Sequence, residues 1–76
     1  EQYTQARIYI DQTIKNLPEE ELEASSSASL YDHAGDIYYY AGERESALEF
    51  WQHAQRLSDD SELTKKLNTK IKNKKP

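Results

Sequence analysis

The residues that could do chemistry in this chain are crowded into one stretch, YDHAGDIYYYAGERESALEFWQHA, Tyr31 to Ala54. Acids flank the first histidine as Asp32, His33 and Asp36, and the second histidine is His53. Asp32 and Asp36 are four residues apart, so on a helix they share a face. Two carboxylates on one face can attract a cation. A metal site needs more ligands and an enclosing cavity, and nothing fixes His53 relative to the pair. No Ser–His–Asp arrangement, glycine-rich phosphate loop or paired-histidine motif is present. The reading taken is a solvated or hydrogen-bonded face, with no catalytic residue, no metal and no cofactor.

The elements that must position these residues are helices. Pro18, Gly35, Gly42 and Pro76 are the only prolines and glycines among 76 residues, and good helix formers fill the intervals. The first helix is expected over about 2–17, with Ala6, Ile10, Thr13, Ile14 and Leu17 as its apolar stripe. Pro18 stops it. The acidic and serine-rich EEELEASSSAS then reads as a linker with one turn around 19–23, and Ser27 or Ser29 can cap the next helix. That helix runs to about Ala41 and turns inward Leu30, Tyr31, Ala34, Ile37, Tyr38 and Ala41. Gly42 suits a left-handed helix end. A third helix is expected over 44–57, with Ala47, Leu48, Trp51, Ala54 and Leu57 inward. Ser58, Asp59 or Asp60 caps a fourth over 61–73, whose stripe is Leu63, Leu67 and Ile71.

Charge is distributed unevenly. Residues 1–63 carry four cations against all fourteen acids, whereas residues 64–76 carry six lysines and no acid. An acidic body is a poor surface for phosphate, so no nucleic acid is expected as partner. The lysines read as complements to the last helix's macrodipole, fraying into solvent. There is no cysteine, hence no disulfide or thiolate site. No apolar run approaches the ~20 residues of a membrane span. Residues 1–10 lack the basic start and apolar centre of a secretory leader, and the compartment stays open.

The spacing Tyr31-x2-Ala34-Gly35-x2-Tyr38 followed by Ala47-x3-Trp51-x2-Ala54 resembles the tetratricopeptide repeat. Ala34 and Gly35 let the second helix approach the first. Ala47 and Ala54 do the same from the other side, and Tyr38 and Trp51 fill what remains. Asp59 stands where the family usually has proline. Ala6-x3-Ile10-x2-Thr13 up to Pro18 is similar to the second half of a repeat. Ala6 to Pro18 spans twelve residues, as does Ala47 to Asp59. The resemblance implies an all-α chain of antiparallel helical hairpins: a second helix of a partial repeat (1–18), a linker (19–27), a complete repeat (28–60), and a C-terminal capping helix with a lysine-rich tail (61–76). Lacking an initial Met, the chain is expected to be the C-terminal end of a longer array.

The resemblance also implies a function. Such arrays bind a protein or peptide in a concave groove lined by first helices. Tyr39 and Tyr40 match groove positions, and Ser29, Asp32, His33 and Asp36 match or adjoin others, so these six are the candidate partner-binding residues. Tyrosine suits binding, with a large contact area and a polar tip; the competing reading packs Tyr39 or Tyr40 on a neighbouring helix. Asp32 and Asp36 stand where some members carry the Lys and Asn that hold a peptide carboxylate. Two anions would repel one, so a basic or amphipathic partner is expected instead. Replacing both acids is then expected to change binding and leave stability nearly alone. The alternative is a purely structural cap with no binding of its own. An enzyme, or a nucleic-acid binder acting through the lysine tail, is a further reading. The stripe of the first helix lacks a covering helix. It is expected either to pair with a second copy as a homodimer or to be covered by Leu22 and Ala24 of the linker.

Overall fold

The computed structural model describes residues 2–76; Glu1, the first residue of the expected 1–18 unit, lies outside the described residues. The fold is all-α. Its helices are α1 (Gln2–Lys15), α2 (Ala28–Tyr40), α3 (Arg44–Leu57) and α4 (Ser61–Asn73), with short 3-10 turns at Glu19–Glu21 and Ser25–Ser27 between α1 and α2. No strand occurs among the described residues.

The starts and stops follow from local chemistry. α1 ends two residues short of the expected Leu17. Proline disfavours helical geometry in the residue before it, and the chain tightens, with Leu17 N–H donating to the Ile14 carbonyl at 3.1 Å. Gly42 sits at φ +90°, the left-handed conformation that a residue without Cβ adopts freely. Asp60 caps α4, its Oδ1 accepting from the Glu62 N–H at 2.9 Å. Ser27 occupies the position before α2 but does not cap it. Its hydroxyl turns back and donates to the Glu21 carbonyl at 2.6 Å, and the Tyr31 hydroxyl donates to the Leu22 carbonyl at 3.1 Å. The serine segment is therefore bound to α2. Its second turn packs on α2 and α3, while the α1 stripe meets α2 directly and Ile10 is left 2 % exposed.

The core lies between α2 and α3. Tyr31 meets His53, Gly35 meets Trp51, and Tyr38 meets Phe50. Early residues of one helix thus face late residues of the other, so the two run antiparallel. Ala34, Ala47 and Ala54 are wholly buried, and Trp51 is 1 % exposed. α4 closes the far side with Leu67, which is fully buried, flanked by half-buried Leu63 and Ile71. Leu30, Ile37, Tyr38, Ala41, Leu48 and Leu57, expected inward, are only half-buried. The molecule measures 34 × 31 × 16 Å. A slab 16 Å thick is little more than one helix diameter, about 10–12 Å, deep, so few side chains escape its edges. Tyr38 is the clearest correction, since its ring packs on Phe50 while its hydroxyl leaves the core and donates to Asp11 on α1.

The closest approach in the core is that of Gly35 to the indole. A Cβ on Gly35 would stand 2.3 Å from Trp51 Nε1 and 2.4 Å from Cδ1. Two losses follow in urea denaturation monitored by circular dichroism. Trp51→Ala leaves a cavity and is expected to cost about 3–5 kcal/mol. Gly35→Ala forces the indole aside and is expected to cost about 1–3 kcal/mol. A Gly35→Ala chain as stable as the parent would contradict this packing.

Candidate functional site

Ser29, Asp32, His33, Asp36 and Tyr40 fall at helical spacing along one face of α2, with Tyr39 at its edge. The structure divides the six. Ser29, His33 and Tyr40 are exposed, whereas Asp32, Asp36 and Tyr39 are half-buried.

The two acids are engaged by α4. Lys70 Nζ donates to Asp32 Oδ1 at 2.7 Å and to both Asp36 oxygens at 3.1 and 3.2 Å. The Lys70 and Asp32 side chains are each 16 % exposed. Asp36 Oδ1 also accepts from the Trp51 indole N–H at 3.1 Å. Burial disfavours the Lys70 ammonium, but its hydrogen bonds to Asp32 and Asp36 and their negative charge outweigh that and hold its pKa above the ordinary lysine value. Lys70 therefore does not fray into solvent with the other lysines, as the sequence led us to expect. Its signal was available: it lies three residues after Leu67 and seven after Leu63, on the apolar side of α4. The expectation that Asp32 and Asp36 could both be replaced without loss of stability is likewise corrected, because Asp36 satisfies a buried indole and a half-buried ammonium.

The aromatics separate in the same way. Tyr39 turns toward the core, its ring 6.1 Å from Trp51 with the Arg44 guanidinium over it at 5.2 Å. Tyr40 stays 54 % exposed. Its ring stacks on Tyr3 of α1 at 5.4 Å and meets the edge of Tyr39 at 5.3 Å. Tyr3 was not among the expected site residues, because its place beside α2 depends on how α1 docks. Arg7 Nη1 bonds Glu43 Oε2 at 2.5 Å, and with the Tyr38–Asp11 bond it fixes that docking.

The histidines do not converge with the acids. His53 lies on α3 against Tyr31, ring centres 4.2 Å apart. Its Nδ1 is 3.2 Å from Arg56 and its Nε2 3.4 Å from Glu23. Among the described residues no three potential metal ligands come together. Two open depressions, of about 380 and 410 Å³, lie at the start of α3, beside Gly42–Ser46 and beside Arg44, Leu48, Trp51 and Lys74. Neither is lined by Asp32 or Asp36. The face can therefore offer contact area and hydrogen bonds, while its two acids are committed to α4. No family model, curated protein or solved structure matches the chain.

Two outcomes are expected. Asp36→Ala removes the acceptor of the buried indole and is expected to cost roughly 1–3 kcal/mol, with Asp36→Asn costing less because an amide oxygen still accepts; urea denaturation measures both. The second concerns alkaline pH. Burial first, then the hydrogen bond and charge of Asp11, push the Tyr38 phenol up to about 12. The folded chain keeps this proton after the unfolded chain has released it. The stability it contributes is present below the ordinary tyrosine value of 10.0 and is lost as pH rises toward about 12. Thermal melts of the parent between these limits should fall more steeply than those of Tyr38→Phe; parallel slopes would contradict the bond to Asp11.

Proposed function

We propose that the chain is a protein-interaction module of the tetratricopeptide kind, with α2 and α3 as its complete hairpin and α4 as its cap, and that it acts by binding rather than by catalysis. The observation that carries the binding surface is Tyr40, a large aromatic half exposed at the end of α2, stacked on Tyr3 and sharing its helix face with exposed Ser29 and His33. A ring held by a second ring offers contact area at low entropic cost, which is how interface anchors work.

The partner is a peptide or protein with an apolar anchor. Lys70 neutralises one of the two carboxylate charges and occupies both side chains, so an amphipathic segment is favoured over a purely basic one. Among the described residues no helix is long and apolar enough to cross a membrane. The second reading, a structural cap without binding of its own, is favoured by the same Lys70 contacts, which spend both acids of α2 on α4, and by Leu67, buried where α4 packs on α3.

Selection from a displayed random-peptide library, followed by titration of the best binder into labelled protein, separates the two. The expected result is chemical-shift change at Ser29, His33 and Tyr40, a weak dependence on salt, and about tenfold or greater loss of affinity in Tyr40→Ser at a temperature where circular dichroism shows the variant still folded. Failure to select any binder supports the cap. A binder whose affinity collapses with salt would restore the basic partner.

A further inference from the structure

α1 carries a second exposed face, opposite the one that meets α2. Ile8 is 50 % and Tyr9 70 % exposed, and around them lie exposed Thr4, Gln5, Gln12 and Lys15. The chain is 32 % charged, yet among the described residues this face carries a single charge, Lys15, near one end. The other charged residues of α1, Arg7 and Asp11, are spent on Glu43 and Tyr38 within the chain. A helix face that combines exposed apolar and aromatic side chains with depleted charge has the composition of an interface centre.

We propose that this face binds a second copy of the chain, α1 against α1, antiparallel about a two-fold axis. The residue order supports this occupant. Ile8 and Tyr9 are the two middle residues of Gln2–Lys15. In an antiparallel pair centred there, residue n of one copy faces residue 17 − n of the other. Ile8 then meets Tyr9 and Gln5 meets Gln12, while Lys15 meets the uncharged Gln2. No like charges oppose one another. The register satisfies the self-complementarity that a two-fold interface demands. The outer faces of α3 and α4 are charged by comparison, with exposed Glu45, Glu49 and Arg56 on one and Lys65, Lys66 and Lys72 on the other, so they match this surface less well. The stripe of Ala6, Ile10, Thr13 and Ile14, from which self-association was expected, is excluded as the seam because Ile10 is buried inside the monomer.

The interface is small. Fourteen residues make a helix about 21 Å long and about 10–12 Å wide, well below the roughly 1,200–2,000 Å² of total buried area in stable complexes. The dimer is therefore weak and concentration-dependent. Sedimentation equilibrium of the whole chain from low micromolar to millimolar concentration tests it. The expected result is an average mass that rises from 8.9 kDa toward twice that value. Ile8→Glu should hold the mass at one chain throughout while leaving the melting temperature unchanged, since the position is exposed. Register is tested by Gln5→Glu and Gln12→Lys, which should associate more tightly when mixed than either does alone. A monomer at millimolar concentration, association that survives Ile8→Glu, or a mixture no tighter than its components would each overturn the proposal.

Discussion

The structure depends on one close approach, that of the Trp51 indole to the bare Cα of Gly35. The contact leaves no room for a methyl group, and it buries an N–H that must find an acceptor. The next residue along α2 supplies it, since Asp36 Oδ1 takes the indole proton. That places a carboxylate beside a hydrophobic core, where an unpaired charge is costly, and Lys70 of α4 answers it. Packing, hydrogen bond and ion pair thus form a sequence in which each step creates the need for the next. The consequence is that α4, which packs on α3 through its buried Leu67, is also tied to α2 by electrostatics.

α1 is attached on different terms. Ile10 and Ile14 supply its apolar contact, and Arg7–Glu43, Asp11–Tyr38 and Tyr3–Tyr40 bind its flanks. These bonds draw the charges of α1 inward, as Lys70 draws in the acids of α2. In both places polar residues that look available in the sequence are already spoken for in the fold. The large apolar side chains left exposed lie on α1 and at the end of α2: Tyr40 with Tyr3 on one side, Ile8 with Tyr9 on the other. The recognition proposed for this chain accordingly rests on shape and apolar contact more than on charge.

The features legible in the sequence were the local ones. The bounds 44–57 and 61–73, the left-handed Gly42 and a cap among Ser58, Asp59 and Asp60 follow from turn chemistry or helical period within one or two elements, while a close helix approach at Gly35 was implied by the repeat resemblance. The candidate site was legible only in part, because its state is decided by residues far along the chain. Lys70 lies 38 residues from Asp32 and 34 from Asp36, and in sequence it was one lysine of a basic tail. Tyr3 reaches Tyr40 only through the docking of α1. Ser27 was read as a cap because its residue type is right, but a carbonyl of the preceding turn competed for its hydroxyl and won.

The most direct test of the central contact is hydrogen exchange at the Trp51 indole. The chain has one tryptophan, so a single indole N–H resonance reports on this site alone. If the ring lies against Gly35 with its proton held by Asp36, exchange must await unfolding of the hairpin. Its protection should then equal that of the slowest backbone amides of α2 and α3 and fall in step with them as urea is added. An indole proton that exchanges at the rate of a free tryptophan side chain under native conditions would contradict the account.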